Sequence, residues 1–229
     1  MAKITPGPLA GVVSGKIGNT VFSRGRYGPY IRNRMIPTSS QSAATLDVRG
    51  RLAYLSKYWG GLAAASKVAW KTWAATHPVI DRLGASQVLS ANAAFIQLNS
   101  RIIQAAGTLI TLPPVGTSPT SLTSASVVSD VSDNTYTITF AATPLAANTC
   151  LAVWAAVVDS PGREYYKNLL KLVKVSAAAQ ATGLNVDTQI DLRFGQNIAA
   201  QVVYMELEVW SSLTGLISGR TAISCVVTA

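Results

Sequence analysis

The sequence is poor in the residues that carry acid–base and metal chemistry. It has one histidine, two cysteines and ten carboxylates, scattered over 229 residues. No Cys-x-x-Cys pair or Cys/His cluster occurs, which excludes a zinc site of ordinary ligand spacing. His77 precedes Pro78 with no nucleophile or carboxylate patterned around it, so catalysis is not expected there. Gly11-Val-Val-Ser-Gly15-Lys16-Ile17 fails as a phosphate loop, which needs four residues between its glycines and Ser or Thr after the lysine. This inventory argues against an enzyme, and no cofactor is expected.

Long apolar runs are also missing. The longest, Leu151 to Val158, falls far short of the roughly 20 residues of a spanning helix. The opening residues carry glycine and proline where a secretory signal needs an apolar core. Neither a membrane span nor secretion is expected. Charge is scarce as well, at 13% against about 25% in an average soluble domain. Since 49% of the residues are hydrophobic, the chain is a folded one, and its low charge density points to surface covered by other subunits.

The net charge of +9 is unevenly placed. Residues 1–115 hold 13 Lys+Arg against Asp47 and Asp81, whereas residues 116–229 hold 6 against 8 acidic residues. Composition divides the chain into a basic Gly-rich arm (1–37), a helical region (38–111), a Pro/Gly/Ser/Thr linker (112–121) and a strand-rich domain (122–229).

No acidic residue occurs from Gly11 to Pro37. Asn19–Arg24 and Pro29–Met35 read as two strands joined by Gly25-Arg26-Tyr27-Gly28, a hairpin. Phe22, Arg24 and Arg26 share one face of the first strand, and Tyr30, Arg32 and Arg34 one face of the second. A register joining those faces would make one basic, aromatic surface. These six residues and Tyr27 are the candidate partner-binding set. Their arginines could fork onto carboxylates of an acidic protein, or neutralise phosphates while the aromatics stack on bases. Protein is the preferred partner, because a Gly-rich extended arm suits a groove or the edge of another sheet.

Beyond the arm, Ser39 or Ser40 is expected to cap a helix running to about Tyr58. A second spans Ala64–Ala75, and a third follows Ser90, with Phe95, Leu98 and Ile102 on one face and Gly107 as terminator. The second half reads as about seven strands: 125–129, 135–140, 149–158, 169–175, a short one near 189–193, 203–210 and 221–228. Tyr204, Glu206, Glu208 and Trp210 alternate with Val203, Met205, Leu207 and Val209, the mark of a half-buried strand. The fold class expected is α+β, with an antiparallel sandwich of immunoglobulin or fibronectin III type. Cys150 and Cys225, inside strands, are expected to be reduced thiols. The five tryptophans are expected to pack in cores or interfaces, although a carbohydrate-binding sandwich would use Trp154 and Trp210.

The stretch Gly15-Lys-Ile-Gly-Asn-Thr-Val-Phe-Ser-Arg-Gly-Arg-Tyr-Gly-Pro-Tyr-Ile-Arg-Asn-Arg34 is followed by a Trp-bearing helix and by Phe95-Ile-Gln-Leu-Asn-Ser-Arg101 before a Pro-Pro linker. Further on stand Ser160-Pro-Gly-Arg163, Phe194-Gly195 and Thr214-Gly-Leu-Ile-Ser-Gly219. This pattern resembles a family of virion-associated proteins encoded by tailed bacteriophages and prophages. The resemblance spans most of the chain and is most specific in the N-terminal motif. It implies a virion component, assembled in the host cytoplasm, and leaves its place in the particle open. Capsid decoration or cementing is the first expectation, and a neck, collar or tail role the second. Expected partners are major capsid or neck and tail subunits, with a homo-oligomer or symmetric array. Nucleic acid is the alternative partner, and no membrane is expected.

Overall fold

Glycines punctuate the arm so closely that only short strands fit between them, and the computed structural model of the chain bears this out. It describes residues 2–3, 14–25, 28–35, 42–80, 85–130, 134–159, 165–196 and 198–227. The chain divides into two compact units, Met1–Asp47 and Val48–Ala229.

The first unit is a four-stranded antiparallel sheet of β1 (Ala2–Lys3), β2 (Gly15–Ile17), β3 (Thr20–Gly25) and β4 (Gly28–Asn33), in the order β1-β4-β3-β2. The expected hairpin is β3–β4, with Gly25 paired to Gly28. Arg26 and Tyr27, between them, lie outside the described residues. A second hairpin precedes it. Ile17 pairs with Thr20 across Gly18-Asn19, and Gly18 takes φ +56°, the left-handed region that two-residue turns demand.

Helix α1 (Ala43–Gly61) starts in the first unit and continues into the second. Ser42, just before it, accepts a 3.4 Å hydrogen bond from Thr45 N through its hydroxyl. Ser39 and Ser40, the expected caps, lie outside the described residues. In the second unit α2 (Ala64–Thr76) ends at His77-Pro78, as the steric demand of proline on its predecessor requires. A two-stranded ribbon, β5 (Val79–Ile80) with β6 (Ser86–Gln87), leads to α3 (Ala91–Gln104). The Ser90 hydroxyl accepts from Ala93 N at 3.2 Å, the expected cap. Leu55, Trp70, Ala74, Phe95 and Leu98 form the helical core. Phe95 is its hub, with the rings of Tyr58, Trp59 and Trp70 centred 6.2, 5.3 and 5.5 Å away. Asn99, fully buried, accepts from Ile110 N (2.9 Å) and donates to Phe95 O (3.1 Å), clipping the segment after α3 against the helix.

The strands that follow are β7 (Ser124–Asp130), β8 (Thr135–Ala141), β9 (Thr149–Val158), β10 (Lys171–Val175) and β11 (Leu184–Asn185). After helix α4 (Asp187–Phe194) come β12 (Val202–Ser211) and β13 (Thr221–Val226). They make two antiparallel sheets, β10-β9-β12-β13 and β11-β8-β7. Val127, Tyr136, Ile138 and Phe140 of one sheet share a core with Leu151, Val153, Val203, Met205 and Leu207 of the other. The chain is therefore a mixed α+β protein.

Two expectations are corrected here. The strand near 189–193 is helix α4, because Val186, Ile190 and Phe194 recur every four residues, and all three pack on the core. The helix is anchored by Asp187, whose carboxylate accepts from Tyr136 N. The second correction concerns β12, which is not half-solvated. Its outer face is also covered: Ala105 after α3, Cys150, Ala152 and Trp210 pack there with Trp154, Leu172 and Ile217. The 112–121 stretch carries no helix or strand, yet the helices before it and the sheets after it belong to the same compact unit. Among the described residues no helix is long and apolar enough to cross a membrane.

Candidate functional site

The sequence-derived site falls on the first unit's sheet, and its register decides what the surface is. Val21 pairs with Arg32, Ser23 with Tyr30, Phe22 with Ile31 and Arg24 with Pro29. Directly opposed residues share a face, so Phe22 and Arg24 lie on one side and Tyr30 and Arg32 on the other. The single basic, aromatic surface that a joining of the two faces would have made does not form. Instead the sheet has two unlike faces. One carries Ile17, Phe22, Pro29 and Ile31 with Arg24, and the other carries Lys16, Val21, Ser23, Tyr30 and Arg32. Arg34, exposed, follows β4, and its backbone N donates to Asn19 O at 2.6 Å. Arg26 and Tyr27 are outside the described residues.

No described side chain of this unit is fully buried. Phe22, Tyr30 and Ile31 are half-buried, and Ile17 is 73% exposed. Sequence reasoning missed Lys16 as a member of the cationic face; the signal was the Gly18-Asn19 turn, which folds β2 back alongside β3.

In the second unit the structure gathers a cluster that no motif announced. Glu206 and Glu208 stand two apart on the outer face of β12 and are 5% and 4% exposed. Arg220, just before β13, reaches both: Nη1 donates to Glu206 Oε2 at 2.7 Å and Nε to Glu208 Oε1 at 3.1 Å. Its guanidinium lies 5.1 Å over the Trp154 ring. Trp210 Nε1 donates to Glu208 Oε2 at 2.7 Å. Burial works against the Arg220 charge, but the bonds to Glu206 and Glu208 outweigh it and raise its pKa. Burial lowers the pKa of Arg101, opposed by the Glu208 charge, and its Nη1 donates to Gly215 O at 3.3 Å.

Trp154 and Trp210 thus serve as floor and ligand of an ion-pair cluster, not as exposed platforms. The legible signal was two glutamates on a strand face otherwise formed by Tyr204 and Trp210, since carboxylates on an aromatic face need a cationic partner. The partner, Arg220, is found only by pairing β12 with β13.

Beside this cluster lies a pocket of about 740 Å³ lined by Tyr165, Tyr166, Lys167, Asn168, Glu206 and Arg220. Tyr166 stacks on Tyr204 with ring centroids 4.3 Å apart and planes 4° from parallel. Burial, then the Glu206 charge, then Tyr204 push the Tyr166 phenol above its ordinary range. Among the described residues no group of three or more His, Cys, Asp or Glu is placed to hold a metal ion. Cys150 and Cys225 are free thiols, and they point to opposite faces of their sheet, because Cys150 pairs with Trp210 and Cys225 with Val203. No protein-family model matches the chain, and no curated protein matches it in sequence.

Proposed function

We propose that the chain is a structural protein of a tailed-bacteriophage virion, a capsid decoration or cement protein held by its N-terminal sheet. The observation that carries the reading is that this four-stranded sheet has an apolar face, with Ile17, Phe22 and Ile31, and no fully buried side chain among the described residues. A sheet stabilises itself by burying one face against another layer, so this one is built to be covered. Arg24 beside that face and Lys16 and Arg32 on the other favour a partner rich in carboxylates, which arginine engages through paired hydrogen bonds. The resemblance of the N-terminal motif to virion proteins of tailed phages supports the same reading. We take the two β-sheets that share a core as a sandwich of immunoglobulin or fibronectin III type, projecting from the particle or touching neighbours. A neck, collar or tail position is the alternative, and no catalysis is assigned.

The test is a phage carrying Arg24→Ala, Arg26→Ala, Arg32→Ala and Arg34→Ala together. Purified particles should lack the protein, and normal copy number in them would overturn the anchoring. A nucleic-acid reading draws on Lys16, Tyr30 and Arg32 sharing a face. It requires binding to bare DNA that weakens by about one log unit per log of salt for each phosphate neutralised.

A further inference from the structure

We propose that the pocket beside Arg220 is a binding site for a neutral saccharide. The pocket is about 740 Å³, inside the range of roughly 300–1,000 Å³ that small-molecule sites occupy. Its lining is more polar than packing requires. Glu206 is nine-tenths buried, and among the described residues only its Oε2 has a hydrogen-bond partner, Arg220 Nη1. Arg220 in turn uses Nη1 and Nε on the two glutamates and leaves Nη2 without a partner among the described residues. An acceptor oxygen of Glu206 and a half-exposed donor of Arg220, both in the pocket lining and each without a partner among the described residues, are what a hydroxyl-bearing ligand satisfies.

Charge narrows the class. Arg220 is already neutralised by Glu206 and Glu208, so an anion would have to compete with two carboxylates for it. A cation drawn to Glu206 would meet both Arg220 and Lys167 in the same lining. A neutral polyhydroxyl ligand meets neither obstacle: it donates to Glu206 and accepts from Arg220, Lys167 or Asn168. The aromatic element is present as well. Tyr166 is held in place by its stack on Tyr204, and Tyr165, 65% exposed, offers a ring to the C–H face of a sugar. These tyrosines replace Trp154 and Trp210, which the ion-pair cluster consumes. The inference does not depend on the virion reading, since it rests on the second unit alone.

The experiment is titration of the full chain with maltotriose, cellotriose, chitotriose and mannotriose, followed by NMR line broadening and isothermal calorimetry. Sialyllactose and lysine serve as anionic and cationic probes. At least one neutral oligosaccharide should bind. Tyr165→Ala, at an exposed position, should weaken it roughly tenfold, about 1.4 kcal/mol, with unchanged melting temperature. Glu206→Gln should weaken it as well. Absence of binding by all four neutral probes at about 10 mM, a level that reveals even weak sites, would overturn the proposal. Binding indifferent to both substitutions, or confined to sialyllactose or lysine, would overturn it equally.

Discussion

Cys150 shows how much a single position depends on its surroundings. Its Sγ lies 3.5 Å from Trp210 O on the covered outer face of β9, and burial pushes its pKa from the usual 9.0 up to about 11. A raised thiol pKa means that the folded state holds the proton longer than the unfolded chain. Below pH 9 both states are protonated and the group adds no pH dependence. Between pH 9 and 11 only the unfolded chain ionises, so stability contributed by this thiol is lost as pH rises. Urea midpoints of the wild type should therefore fall across that interval more steeply than those of Cys150→Ala. Equal slopes would mean that the thiol is as solvated folded as unfolded. Cys225 is shifted in the same direction, by burial first, so the comparison isolates Cys150 only if Cys225 is kept in both proteins.

Among the elements, those with a strong period and a clear boundary were readable from the sequence. Ser90 caps α3, Phe95, Leu98 and Ile102 are its buried stripe, and β9 runs from Thr149 to Val158 as its apolar run suggested. What the sequence could not yield is how layers meet. The outer face of β12 reads as polar because Glu206 and Glu208 are charged, and Arg220, just before the neighbouring strand β13, together with Trp210 makes their burial tolerable. Likewise the arginines of the arm were legible as a cluster, but the placing of Arg24 and Arg32 on opposite faces follows from a register set by the Gly25–Gly28 pairing. The close approach of α3 to the loop after β12 is another such feature. Gly215 adopts φ +69°, and a Cβ there would run into the Leu98 backbone carbonyl; at Gly107 it would meet Ser212 O. Gly195 has φ +89° but open space around it. Gly195→Ala should cost about 1–3 kcal/mol, for backbone conformation alone. Gly215→Ala adds the collision and should cost about 2–4 kcal/mol, a drop of roughly 5–15 °C in Tm. Thermal melts of the pair check this, and equal losses would show that the contact with Leu98 yields without cost.

At the scale of the whole molecule the excess positive charge and the unsatisfied surface coincide. Residues 1–41 contain Lys3, Lys16, Arg24, Arg26, Arg32 and Arg34 and no acidic residue, so removing them lowers the net charge from +9 to +3. The same segment holds all four strands of the first unit's sheet and the apolar face described above, with Ile17, Phe22 and Ile31. No side chain of the first unit is fully buried among those described, so the segment has little burial with which to stabilise the rest. The second unit, by contrast, contains the helical core, the core between the sheets and the layer on β12. A chain beginning at Ser42 keeps α1 and its Ser42 hydroxyl, and should unfold cooperatively with Tm within roughly 2 °C of the full chain. Binding of a hydrophobic dye should fall at the same time, because Ile17, Phe22 and Ile31 leave with the arm. A loss of more than about 5 °C would place the sheet inside the same cooperative unit as the helices and the two β-sheets, and would remove the ground for treating it as a surface made to be covered by another protein.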